Sequence, residues 1–394
     1  MHAQTSSKPA RLDFLDALRG LAILGVISTH CAWYADGDFR GKAFAGAGLY
    51  GVQLFFMVSA FTIFLTLERA LARETAVVSG FFIRRTLRIL PMFWVGIVLY
   101  AFLPGREHYY THFHPSCLYY LLTALLQHGW HPYYINAVVP GGWSIAVEGT
   151  FYLVAPFLFF RLFNWRRAWL FLLCSLFAAT AANHFLLLAI NRGWLFANID
   201  SHEILAQFAF RWFPNQLPVF ATGILTYHVV KAMPESFRTK RTGLILVITG
   251  LVILYNAVGL GCHRLLSEPF LFAAGFFPVI AGLAIYPWSF LVNRATCFLG
   301  RISYSFYLMH FVLMEAGVSW AKATVPALFS HPALAYVSLF IVTVLAVTPV
   351  AWLTYRFIEQ PFIRLGSSLV RRLNAVQVKA AKTPAIFAPP FPET

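Results

Sequence analysis

SCLYYLLTALLQH, residues 116–128, is the stretch on which the topology turns. As a helix it would be about 20 Å long at 1.5 Å per residue, short of the roughly 30 Å of hydrocarbon in a bilayer, and both of its flanks are rich in Pro, Gly and His. Around it lie ten longer apolar runs, at 14–34, 46–67, 86–104, 143–160, 168–190, 215–231, 242–260, 269–290, 298–318 and 334–357, each long enough to cross as a helix. Charge decides the short one. If it crosses, Arg161, Arg166 and Arg167 face the side opposite the strongly basic stretch Arg69, Arg73, Arg84, Arg85 and Arg88, against the tendency of Lys and Arg to stay cytoplasmic. If it does not cross, the cytoplasmic side holds 22 Lys and Arg and the outer side 7, with Arg19 left inside the first run. The sequence therefore predicts an all-α polytopic membrane protein of about ten transmembrane helices, with N and C termini cytoplasmic. It also predicts a short interfacial or re-entrant helix in a long outer loop, 105–142, a loop length that usually carries function.

Composition agrees. Of 394 residues 59% are hydrophobic and only 11% are charged, with 40 Phe, 17 Tyr and 11 Trp spread along the whole chain, and the mean hydropathy is +0.67. These values exclude a soluble fold and a small anchor on a large aqueous domain. The net charge of +15 sits in short groups between apolar runs, so it does not mark a nucleic-acid binder. Cys31, Cys117, Cys174, Cys262 and Cys297 lack metal-ligand spacing and imply no disulfide framework. No cleaved signal peptide is expected, because the stretch before Arg19 has no continuous apolar run. The expected organisation is a cytoplasmic segment at 1–13, one transmembrane unit at 14–362, and a basic, then Pro- and Ala-rich, mobile cytoplasmic tail at 363–394.

Charged and polar side chains inside the apolar runs point to chemistry. In LDALRGLAILGVISTH, residues 15–30, Arg19 and His30 are eleven positions apart, which returns to within roughly 20° of one helix face at an axial separation of about 16 Å. An Arg snorkelling to headgroups and a His in the interface would explain each alone; sharing a face favours function. Glu148 follows Gly141, Gly142, Trp143 and Ser144 in a run that enters from outside, so it is expected about as deep as His30. A carboxylate bonded to one ring nitrogen there would fix the tautomer and leave the other nitrogen as a base; the alternative is a structural pairing of Glu148 with an Arg. Arg84, Arg85 and Arg88, in FFIRRTLRILPMFW (81–94), offer guanidinium forks suited to phosphate, against the plainer reading of membrane anchoring. Tyr307 and His310, in SYSFYLMH (303–310), are further site candidates, against the plainer reading of His310 as an interhelical hydrogen bonder, and Ser59 reads as packing between helices. Trp143 and Ser144 are further candidates beside Glu148. His108, His112 and His114 are spaced like metal ligands, but no carboxylate or Cys motif completes a site, so no metal is expected.

Taken together these elements resemble the membrane-bound acyltransferase family 3, integral-membrane O-acyltransferases that modify surface polysaccharides, lipopolysaccharide, peptidoglycan and related acceptors. The family's Arg-x10-His falls on Arg19 and His30, and its Arg-x-x-Arg followed by Pro and an aromatic pair falls on Arg85, Arg88, Pro91, Phe93 and Trp94. Its Trp-Ser-x-x-x-Glu falls on Trp143, Ser144 and Glu148, its SYSxYLxH on Ser303 to His310, and its late Glu-x-Pro on Glu359 and Pro361. The resemblance covers about 11–362, in family order. One departure is FFMVSA, where Ala60 replaces the usual Gly. Another is the short tail where some members carry a hydrolase-like extracytoplasmic domain.

The resemblance implies acyl-CoA, most often acetyl-CoA, as a donor substrate and no tightly bound cofactor. The acceptor would be a hydroxyl of a glycan, a lipid-linked sugar or another molecule at the outer side of a bacterial cytoplasmic (inner) membrane. Arg84, Arg85 and Arg88 would grip the CoA phosphates, and Arg19 would hold the donor or polarise its carbonyl. His30 would act as general base, with Glu148 orienting it, or form an acyl-histidine. Membrane lipids and separate polysaccharide-assembly proteins are the further partners implied, and no nucleic acid. The competing class is a transporter or flippase, in which the buried Arg, His and Glu form a proton or anion path.

Overall fold

The computed structural model describes residues 12–102, 117–196, 199, 201–260 and 267–382, and all regular structure in them is helical. The helices are α1 (Asp13–Tyr34), α2 (Lys42–Ala47), α3 (Gly51–Leu71), α4 (Val77–Phe102), α5 (Cys117–Ala124), α6 (Gly142–Arg161) and α7 (Trp165–Asn191). They continue as α8 (His202–Arg211), α9 (Phe213–Ala232), α10 (Lys240–Leu260), α11 (Glu268–Ile285), α12 (Arg294–Thr324), α13 (Pro332–Thr354) and α14 (Gln360–Lys382). Among the described residues nine helical stretches are long and apolar enough to cross a bilayer. The chain is a multi-pass membrane protein. The run expected at 215–231 forms α9, which is not among the nine. It packs between α3, α7 and α11 and buries Asn215, Gln216, Thr222 and Thr226 against protein, so its polar residues do not meet lipid. Asn183 donates to Asn215 (2.9 Å) and Gln53 to Gln216 (3.1 Å).

Residue contacts fix the relative directions of the helices around α1. Helices α1 and α12 run parallel: Gly20 faces Thr296 and Gly300 at one end, and His30 meets His310 further along. A Cβ at Gly20 would lie 2.1 Å from the Thr296 carbonyl oxygen, and one at Gly300 only 1.7 Å from that of Asp16, so the crossing needs glycine on both sides. Helix α4 runs the same way as α12, with the Tyr304 hydroxyl donating to Ile89 O (2.8 Å) and that of Tyr100 to Leu308 O (2.9 Å). Helix α3 opposes α1, with Gly51 against Ala22 and Thr62 beside Arg19, and α6 follows α3, with Trp143 on Phe56 and Glu148 on Ser59.

Helices α4 and α6 therefore point in opposite directions, and the chain between Phe102 and Gly142 returns to the end of the bundle that it left. Helix α5, eight residues long, lies in this connection, where Trp94 Nε1 donates to Ala124 O (3.0 Å). The loop after it sinks inward, burying Ile135, Ala137, Val138 and Val139. Asn136 accepts from Gly141 N (2.9 Å), and Gly141 takes a positive φ of 75° at the turn into α6.

Two expectations need correction. The mobile tail expected from residue 363 is helix as far as Lys382, joined to α13 by a π-helical turn at Tyr355–Glu359. Gly366 and Val370 pack on α4, while Asn374 Oδ1 accepts from the backbone N–H of Thr75 (3.0 Å) and Ala76 (2.9 Å), capping the start of α4 from another element. The polar average of this segment concealed its amphipathic period; residues 383–394 lie outside the described part. Helix α4 also begins at Val77, nine residues before the run expected at 86, because α14 covers its Gly80 face.

Candidate active site

Three cavities lie in series, the second and third of them against α1. The first, of about 160 Å³, is lined by Thr62, Thr66, Phe81, Arg84, Arg85 and Arg88, with Ile363 and Ser367 of α14 at its rim. Arg84 is held by Glu74 through bonds of 3.0 Å to both carboxylate oxygens. Arg85 lies over the rings of Phe81 (5.8 Å) and Tyr152 (5.3 Å). Arg88 forms no hydrogen bond or ion pair with a described residue.

Arg85 and Arg88 also line the second cavity, a smaller one of about 80 Å³ shared with Arg19, Ser59, Ser144, Glu148, Tyr152 and Tyr307. Here Arg19 donates to the Thr62 hydroxyl (2.8 Å) and lies 3.4 Å from Asp16, while Ser59 donates to the Glu148 carboxylate. The third cavity holds about 690 Å³ and is lined by His30, Trp33, Tyr50, Trp143, Gln207, Arg211 and Glu268 among others. Val52 and Tyr307 line both the second and the third. The Tyr307 hydroxyl, accepting from Ser144 (3.0 Å) and donating to Gly141 O (2.9 Å), thus stands in the partition between them.

His30 is 6% exposed, and its Nδ1 lies 3.2 Å from His310 Nε2. Trp33 and Phe311 flank the ring at centroid distances of 4.9 and 4.5 Å. His310 is fully buried, with Nδ1 2.5 Å from the Tyr307 carbonyl oxygen. Glu148 does not take the place expected for it beside His30. The loop before α6 dips into the bundle, so α6 starts at the level of Tyr307, and Glu148, about 9 Å further along its axis, falls among the arginines. There it accepts from Ser59 and forms no ion pair with an arginine among the described residues, but a carboxylate lining the same cavity as Arg19, Arg85 and Arg88 offsets part of their mutual repulsion. At the rim of the third cavity Arg211 donates to Gln207 (2.8 Å), and burial holds its guanidinium below its ordinary pKa.

A sequence model described as an acyltransferase domain matches residues 12–356. The chain belongs to acyltransferase family 3. Nodulation protein 10 of Rhizobium leguminosarum bv. viciae is similar, 24% identical over 398 aligned positions that cover 92% of this chain and 96% of that protein. No solved structure matches. In this membrane acyltransferase the family elements converge: Arg19, Arg85, Arg88, Ser144, Glu148, Ser303 and Tyr307 share the second cavity, and His30 with Trp143 lies in the third.

Other parts of the site were not assigned from sequence. Ser59, read as packing, bonds the acyltransferase's half-buried Glu148, and Tyr152 lines the same cavity. Glu359, 3% exposed in the π-helical turn, accepts from Ser305. Both lay within quoted motifs, FFMVSA and Glu-x-Pro, whose spacing identifies an element but not its partner. Among the outer-loop histidines, His108, His112 and His114 lie outside the described residues. His128 is buried with Nε2 3.1 Å from Gly142 O, and burial pushes its imidazole down to about 4.

Proposed function

We propose that this acyltransferase moves an acyl group, acetyl by preference, from cytosolic acyl-CoA to a hydroxyl of a sugar or glycan acceptor at the outer side of a bacterial cytoplasmic membrane. In this reading the chain crosses ten times with both termini cytoplasmic, and residues 117–141 form a re-entrant element in the outer half. The observation that carries it is the series of cavities, cationic at the Arg88 end and aromatic and polar at the His30 end, the first and second sharing Arg85 and Arg88 and the second and third sharing Tyr307.

CoA phosphates would sit at the first cavity. Arg88, which makes no hydrogen bond or ion pair among the described residues, and the stacked Arg85 are the cations placed to receive them, whereas Arg84 is committed to Glu74. The second cavity, with Arg19 in its wall, would take the thioester arm and place its carbonyl near that guanidinium, and an advance towards His30 requires the Tyr307 partition to open. The third cavity is of the size that takes a small-molecule ligand, and its Trp33, Tyr50 and Trp143 with Gln207 and Glu268 are side chains that stack on and hydrogen-bond a sugar. His30 takes the proton of the acceptor hydroxyl as the oxygen attacks the thioester carbonyl. The C–O bond forms, the C–S bond breaks, and the proton passes from His30 to the departing sulfur. Glu148 acts here by balancing the arginine cluster.

The test is complementation read by mass spectrometry of cell-surface glycans. Cells lacking the gene should lose an acyl mass that the wild-type gene restores and His30→Ala does not. Purified protein should release CoA thiol from acetyl-CoA only when an acceptor extract is present. Restoration by His30→Ala would remove the base assignment, and solute flux without thioester cleavage would favour the transporter class.

A further inference from the structure

We infer that His310 is a positioning residue that sets the tautomer of His30, so that the lone pair of His30 resides on Nε2, the nitrogen left free at the outer cavity. This rests on the reading of His30 as the base.

A neutral imidazole has one N–H donor and one bare acceptor nitrogen, and the partner of one nitrogen decides the other. His310 Nδ1 faces the Tyr307 carbonyl at 2.5 Å, and a carbonyl only accepts, so Nδ1 carries hydrogen. The ring is fully buried between Tyr307, Phe311 and His30 and has no carboxylate partner among the described residues, which favours its neutral form. Its Nε2 is then bare. That atom lies 3.2 Å from His30 Nδ1, and two bare nitrogens at this distance would repel, so His30 Nδ1 carries hydrogen and donates to His310. Nε2 of His30 is left with its lone pair; it bonds no described residue, and the ring lines the cavity proposed for the acceptor.

The result is a directional relay from backbone carbonyl through His310 to His30. It does for His30 what a carboxylate does for the histidine of a hydrolase triad, holding tautomer and ring orientation, without placing an anion in an apolar interior. When Nε2 receives the hydroxyl proton, the imidazolium keeps its Nδ1–H bond to His310 and so does not lose a partner at the moment of charging.

The experiment compares His310→Gln, whose side-chain oxygen can still accept from His30 Nδ1, with His310→Leu, which cannot, in the full-length protein in lipid nanodiscs. Each variant is checked for native elution and melting temperature, and turnover and acetyl-CoA KM are measured separately. Turnover of His310→Leu should fall at least 100-fold with KM unchanged, in line with the losses of up to about 10⁴-fold that follow a wrong histidine tautomer in triads. His310→Gln should keep turnover within about tenfold of wild type. ¹⁵N-histidine NMR, with the His30 signals assigned by difference against His30→Ala, should find hydrogen on Nδ1 in the wild type and in His310→Gln, and on Nε2 in His310→Leu.

Wild-type turnover in His310→Leu, hydrogen on Nε2 of His30 in the wild-type protein, or equal losses in both variants would each overturn the inference. If His30→Ala is itself active, the base assignment fails. If His30→Ala is inactive while His310→Leu is fully active, only the positioning role fails.

Discussion

One added methyl group tests whether the crossing of α1 and α12 sets the histidine pair. In Gly20→Ala the new Cβ would lie 2.1 Å from the Thr296 carbonyl oxygen and 3.2 Å from Gly300 N, where ordinary contact begins at 3.4 Å. Both neighbours are backbone, so the helices themselves must part, by roughly 1.3 Å. His30 and His310 sit ten residues along the same parallel pair, about 15 Å away. Carried that far as a rigid shift, the separation takes their 3.2 Å contact to about 4.5 Å, outside hydrogen-bond range. Overpacking of this kind costs about 1–3 kcal/mol.

Gly317→Ala, on α12 with nothing within 4 Å of the new Cβ, is the matched control. It should be neutral or stabilising by about 0.5–1 kcal/mol through helix propensity. Melting in nanodiscs, followed by tryptophan fluorescence, and acetyl transfer under saturating donor read the two effects separately. Gly20→Ala should melt several degrees lower and lose at least tenfold in turnover, and Gly317→Ala neither. A Gly20→Ala protein with wild-type melting and turnover would show that this crossing does not position His30.

Replacing Arg85 and Arg88 together with Gln should raise the acetyl-CoA KM by about 100-fold or more, at about 1.5–3 kcal/mol for each charged hydrogen bond; an unchanged KM would take both out of the donor site. Asn374→Ala removes the acceptor shared by Thr75 and Ala76 and should cost about 1 kcal/mol, seen as faster amide exchange at 75–80, whereas unchanged exchange would mean that water caps α4 equally well. His128 is held neutral by burial, with its folded value near 4 below the ordinary 6.5, so the loop around it should lose stability as pH falls from about 6.5 and level off near 4. The loss totals about 3 kcal/mol, and proteolysis of the loop should show this slope in the wild type and not in His128→Gln.

Much of the fold was legible because a bilayer imposes length and charge rules that a sequence must display. Nine of the ten expected runs correspond to helical stretches with the required length and apolarity, and α9 escaped that test only because protein, not lipid, surrounds it. The short piece at 116–128 could be judged from arginines more than thirty residues away, since parity couples every span to every other. What stayed hidden depended on depth and pairing. Glu148 was placed beside His30 on the assumption that α6 starts at the same boundary where α1 ends, and nothing local in the sequence reports that the loop before α6 descends as far as Tyr307. The helix at 360–382 was lost to its polar average, because its partner face on α4 becomes visible only once Gly80 and Gly366 bring the two together.

The Arg-x10-His spacing acquires a physical meaning from the partner helix. His30 and His310 differ by 280 in number, and so do Gly20 and Gly300 at the close approach, so α1 and α12 keep one register over ten residues. Each histidine therefore stands ten positions beyond the glycine that seats its helix. A slip of one residue in either helix would rotate its imidazole by about 100° and move it about 1.5 Å along the axis, breaking the pair. Arg19, next to Gly20, is fixed by the same contact at the other end, which ties the cationic and histidine ends of the cavity series to a single packing event. It follows that substitutions at Gly20 and at Gly300 should not be additive: once one has parted the helices, the second has little left to disturb.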